Sequence, residues 1–78
     1  MTHTVRLFAA AADAAGTEAT TSEAATVEAL RGELAAAFGA EFTAVLAQCS
    51  LLVNGRRTDA GELPPASTVD ILPPFAGG

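Results

Sequence analysis

Thr68-Val69-Asp70-Ile71-Leu72-Pro73-Pro74-Phe75-Ala76-Gly77-Gly78 closes the 78-residue sequence, and the rest of the chain is read from it. Val69 and Ile71 alternate with Asp70 and Leu72, the two-residue period of a strand. Pro73 and Pro74 remove two backbone donors, so a sheet cannot continue past them. Gly77 and Gly78 add no side chains. A strand that runs into two prolines and two glycines predicts a loose, exposed end over residues 73–78. That end can simply fray. Alternatively its terminal carboxylate is a working group. A narrow channel admits Gly-Gly because there is no Cβ to clash, and Pro-Pro stiffens the approach.

Upstream, Thr4-Val5-Arg6-Leu7-Phe8 alternates and predicts the first strand, with Val5 and Leu7 inward. Arg6 and Phe8 then lie on the opposite face, where Phe8 is a large aromatic on the wet side. Ala9 to Ala15 favours a short helix, stopped by Gly16. Thr17 to Glu23 is polar and reads as an edge strand pairing back on the first. Thr26 to Gly39 is the main helix. Thr26 suits the N-cap, Glu28 suits the first turn, and Val27, Leu30, Leu34 and Phe38 recur at helical spacing. Gly32 interrupts it at a cost of roughly 1 kcal/mol relative to Ala, which close packing on a sheet would explain. Phe42 to Ala47 predicts a second short helix, with Val45 and Leu46 in the core. Ser50 to Val53 is a strand, and Leu52 is expected to be buried. Asn54-Gly55 is a two-residue hairpin turn, because both residues tolerate positive φ. Arg56 to Asp59 returns as a short polar strand. Leu63, in the connection that follows, can plug the core.

These elements assemble into an α+β domain spanning 1–78. It has a mixed sheet of four to five strands, one main helix on one sheet face, and a free tail over 73–78. The first and last strands are expected side by side and parallel in the middle. The other sheet face is left to solvent or to a partner.

Composition narrows the function. The net charge of −5 argues against nucleic acid and anionic membranes and suits a basic partner surface. All four basic residues are Arg, so the chain has no lysine to act as a nucleophile or be modified. One cysteine, Cys49, cannot form an internal disulfide. It reads as a small core residue. One Cys and one His cannot build a metal site. His3, next to the N-terminus, reads as a surface residue. Leu7 to Ala12 is too short for a signal peptide, and no run approaches a membrane span. A cytoplasmic protein is expected. No catalytic constellation stands out, and the glycines are too dispersed to cradle phosphate. Arg56-Arg57 beside the Asn54-Gly55 turn reads as a solvated strand edge. The terminal carboxylate remains. It is ionised near neutral pH and can attack an activated phosphorus.

The chain resembles the ubiquitin-like β-grasp sulfur carriers, and among them the MoaD-like small subunits of molybdopterin synthases. The residues carrying the resemblance are Arg6-Leu7-Phe8-Ala9 with Ala15-Gly16, Thr26-Val27-Glu28-Ala29-Leu30, Leu52-Val53-Asn54-Gly55, and Val69 to Gly78. Pro-Pro-x-x-Gly-Gly after a strand is the most specific of these. The resemblance implies a carrier rather than an enzyme, with no bound cofactor and no metal. A MoeB-like adenylyltransferase would use ATP to adenylate Gly78, and a sulfur donor protein would convert it to a thiocarboxylate. The tail, Pro73, Pro74, Phe75, Ala76 and Gly77, would insert into a MoaE-like large subunit, which supplies the catalytic side chains. Phe8, Leu72 and Arg57 would face that partner. Thiamin-pathway and cysteine-pathway carriers are alternatives, as is a ubiquitin-like binding or conjugation module with an unmodified tail. Two departures stand out. Ala66-Ser67 replace the Gly-Asp often found before the last strand, and Arg57 occupies a position that is often apolar.

Overall fold

A computed structural model describes residues 2–74. Its strands are β1 (His3–Leu7), β2 (Ala19–Ser22), β3 (Ser50–Val53), β4 (Arg56–Arg57) and β5 (Thr68–Leu72). They form a five-stranded sheet in the order β2-β1-β5-β3-β4. β1 and β5 are parallel and central, with Val5 beside Val69 and Leu7 beside Ile71. β2 pairs antiparallel with β1, and β3 with β5. The alternation read from the last strand therefore holds: Val69 and Ile71 are fully buried.

Three helices connect the strands: α1 (Ala10–Ala15), α2 (Val27–Phe38) and α3 (Ala40–Leu46). α2 begins where Thr26 Oγ1 accepts the Ala29 N–H at 3.1 Å, a side-chain N-cap. Its buried stripe is Val27, Leu30 and Leu34. Phe38, expected in the core, is only half-buried. It tilts against the fully buried Phe42, with ring centroids 5.1 Å apart. Phe42 and Leu46 anchor α3, and Val45 packs at the core's margin. Gly39, at a φ of 90°, ends α2 and starts α3. An L side chain resists that conformation, so the helices break there. The hairpin reading also holds: Asn54 and Gly55 both take positive φ, 51° and 85°.

Four expectations are corrected. Leu51 and Val53, not Leu52, face the core, because Leu51 pairs with Ile71 and Val53 with Val69. The predicted strand from Arg56 to Asp59 shrinks to Arg56–Arg57. His3 is buried rather than at the surface. The Ser67 backbone N–H donates to its Nδ1 at 3.0 Å, so the ring proton sits on Nε2, 2.7 Å from the Ala24 carbonyl that accepts it. Gly32 is exposed, and a Cβ there would meet nothing within 4 Å, so close packing does not explain it. Gly32→Ala is therefore expected to stabilise the fold by about 1 kcal/mol through helix propensity and reduced unfolded-chain entropy. Urea denaturation would show this as a higher midpoint at unchanged slope.

Candidate docking face and tail base

The helices leave one sheet face uncovered, and the register decides what lies on it. A row crosses the sheet through Ala19, Arg6, Asp70, Leu52 and Arg57, each paired with the next. A second row begins with Ser50 beside Leu72. Phe8 follows on, because its N–H donates to the Ile71 carbonyl at 3.2 Å and extends the β1–β5 ladder by one residue. Phe8, Leu72 and Leu52 thus share a face, and Phe8 is 38% exposed, the exposed large hydrophobic among the described residues. Leu52 and Leu72 are half-buried. Leu52 is the residue that reading the sequence missed here. Its signal was Ser50: a polar residue two positions away marks the outward face.

The backbone immediately after Phe8 is strained. Ala9 has φ 49° and ψ −124°, which an L residue rarely adopts. This turn lifts the chain off the sheet into α1 and leaves Phe8 at the sheet's end. The Ala66 turn also holds a glycine-like backbone, with φ 54° on an alanine. Ser67 is locked by two contacts: its hydroxyl donates to the Pro64 carbonyl at 2.5 Å and accepts from Asn54 Nδ2 at 3.3 Å.

A charged pair sits beside this apolar group. Arg6 grips Asp70 with two hydrogen bonds, Nε to Oδ1 at 2.5 Å and Nη2 to Oδ2 at 2.8 Å. The hydrogen bond first, and the opposite charge second, push the Arg6 pKa further up. A bidentate pair fixes both side chains and adds geometric specificity to the face. Arg57 is exposed at the β4 edge, 3.9 Å from an equally exposed Asp59 carboxylate. It lies on the same face as Leu52, at its rim.

The tail leaves from the Phe8 end of this face. Pro73 is buried, so it belongs to the domain body rather than to the loose end expected from residue 73. Pro73 and Pro74 line a small recess of about 210 Å³ with Ala10, Ala44, Val45 and Gln48. Pro74 is exposed. Phe75, Ala76, Gly77 and Gly78 lie outside the described residues.

The described side chains form no nucleophile–base pair. Cys49 is buried in the connection between α3 and β3, where its Sγ donates to the Val45 carbonyl at 3.2 Å. Burial pushes its thiol pKa up, and nearby Arg31 only partly opposes this. A thiol held protonated is a poor nucleophile. Both His3 nitrogens are already engaged. Among the described residues no group of three or more His, Cys, Asp and Glu could hold a metal ion, and no helix is long and apolar enough to cross a membrane.

Comparison with known proteins gives the same architecture. A profile described as the ThiS family matches residues 5–78. SAMP1 from Haloferax volcanii is 25% identical, with a TM-score of 0.82 over 100% of both chains. A Pyrococcus furiosus structure assigned as molybdopterin converting factor subunit 1 is 24% identical, with a TM-score of 0.82 over 96% of this chain and 99% of that one. A chain from the Helicobacter pylori complex of subunits 1 and 2 of molybdopterin-converting factor is 24% identical, with a TM-score of 0.75 over 100% of both chains. A search of curated proteins returned no match. The two likenesses at 24% identity bear on the fold alone.

Proposed function

The chain belongs to the ThiS family and has a ubiquitin-like β-grasp fold; from that premise we propose that it is a MoaD-like small sulfur carrier and that it delivers sulfur for molybdopterin synthesis. In this reading the Gly78 carboxylate attacks the α-phosphorus of ATP on an activating enzyme, and pyrophosphate leaves. Hydrosulfide released by a sulfur donor then attacks the acyl carbon, AMP leaves with the electron pair of the broken C–O bond, and a thiocarboxylate remains. The tail enters a large synthase subunit, whose side chains perform the transfer to the pterin precursor. The working compartment is the cytoplasm.

The observation that carries this reading is the convergence of Phe8, Leu52 and Leu72 on the helix-free sheet face, beside the point where the tail departs. A partner seated on that face would receive the tail directly. The Helicobacter pylori neighbour is itself a complex of subunits 1 and 2. Phe8→Ala is accordingly expected to weaken binding to the large subunit by about tenfold or more, near 1.4 kcal/mol, with the thermal midpoint almost unchanged. Titration calorimetry beside a thermal melt measures both. Equal losses of binding and stability would return Phe8 to the core.

Intact mass after co-expression with the activating enzyme and sulfur donor tests the chemistry. An oxygen-to-sulfur exchange at the C-terminus is expected, and Cys49→Ala should show the same exchange. Cys49 is buried and its thiol pKa raised, so the carrier reading assigns it no sulfur. A folded Cys49→Ala protein that stays unthiolated would make Cys49 a relay. Sulfur delivered to a thiamin or cysteine precursor, rather than to the pterin, would move the carrier to those pathways. The likeness to SAMP1, whose other structure names it a small archaeal modifier protein, favours conjugation as the second reading. Adducts to other proteins would then accumulate in place of the thiocarboxylate.

A further inference from the structure

An activated C-terminal acyl group is open to attack by amines, thiols and imidazoles. This chain withholds all three among its side chains. Every basic residue other than His3 is an arginine, whose guanidinium stays protonated and is not a nucleophile near neutral pH. The one thiol, Cys49, is 8% exposed and donates to the Val45 carbonyl. Its raised pKa keeps thiolate scarce. The one imidazole, His3, is 3% exposed, with Nδ1 accepting from Ser67 and Nε2 donating to Ala24. Hydroxyls of Ser and Thr need an adjacent base to attack, and the engaged His3 offers none.

We infer that this chain is a donor that cannot serve as its own acceptor: an activated Gly78 finds no reactive side chain on its own molecule or on a second copy. The inference rests on the reading of Gly78 as the activated group. Its consequence concerns the product. A covalent adduct, where one forms, joins a single copy of the chain to a nucleophile on a different protein, and no chain of copies grows through side chains. In such a step the acceptor nitrogen or sulfur bonds to the Gly78 carbonyl carbon. The leaving group departs with the electron pair, and the acceptor loses a proton to solvent.

The test uses the full chain as a C-terminal thioester made by intein cleavage, which bypasses the activating enzyme. Its α-amine is acetylated first; without lysine, that treatment touches no side-chain amine. Incubated alone at mildly alkaline pH, the protein is expected to stay monomeric by intact mass and to lose the thioester only to water. Arg57→Cys, which places a thiol on an exposed edge, is expected to acylate itself as a ring or a covalent dimer over the same period. Two results would overturn the inference. One is a wild-type ring or dimer whose linkage maps to any side chain. The other is an Arg57→Cys protein that stays as unreactive as the wild type, since nucleophile access would then not be what limits the reaction. Failure of ATP-dependent activation would defeat the carrier reading and leave this chemistry unchanged.

Discussion

Deletion of Gly78 is expected to abolish ATP–pyrophosphate exchange with the activating enzyme while leaving the thermal midpoint in place. Adenylation needs the terminal carboxylate in line with the α-phosphate of ATP. An error near 1 Å can cost about a hundredfold in rate. Removing one residue withdraws the carboxylate by up to ~3.3–3.6 Å of extended chain. Nothing in the core compensates or suffers, because Pro73 is the last buried residue described and Gly78 lies five positions beyond it. Docking through Phe8, Leu52 and Leu72 should persist. The truncated protein is therefore expected to bind the large subunit but deliver no sulfur. Exchange at the full-length rate would mean the terminal carboxylate is not the reacting group, and the domain would revert to a binding module with an inert tail.

Phe42→Ala should have the largest effect on stability. Phe42 is 0% exposed, the largest of the fully buried side chains, and its ring packs at a tilt against Phe38. Truncating a buried Phe costs about 3–5 kcal/mol, the lost transfer energy plus the cavity left behind. A domain of this size has a total stability of roughly 5–15 kcal/mol, and each kcal/mol moves the midpoint by about 4–8 °C. The variant should therefore melt well over ~10 °C lower and sit near the threshold of folding. A drop under about 4 °C would mean that α3 collapses onto the space and that Phe42 is not an anchor. The contrast with Phe8→Ala is the informative part. Two phenylalanines of identical chemistry should separate stability from binding, because one is sealed under α3 and the other stands on the open sheet face.

Much of the fold was legible because its signals are local. Val69 and Ile71 alternate within one strand, and Pro73 ends it. Thr26 and Gly39 bracket α2 with a cap and a positive φ, both set by neighbouring backbone. Asn54-Gly55 forms its turn from its own φ preferences. From these, the parallel pairing of first and last strands could be expected, and with it the uncovered face bearing Phe8 and Leu72. The family resemblance at the C-terminus was legible for the same reason, as a short motif with fixed spacing.

What the tertiary structure decided was non-local. Leu51 and Leu52 are adjacent leucines, and propensity cannot say which one faces inward. Pairing of Leu51 with Ile71, twenty residues away, settles it and sends Leu52 to the helix-free face. His3 is held by Ser67, a partner 64 positions along the chain, so its burial left no trace in the residues beside it. Phe42 reads as one apolar residue in a weak helical segment until Gly39 turns α3 back over the core. Gly32 looked like a packing glycine and stands in open space. Local chemistry sets each element and its ends. Which side of an element is covered depends on what the rest of the chain lays against it, and that is a property of the assembled sheet and helices.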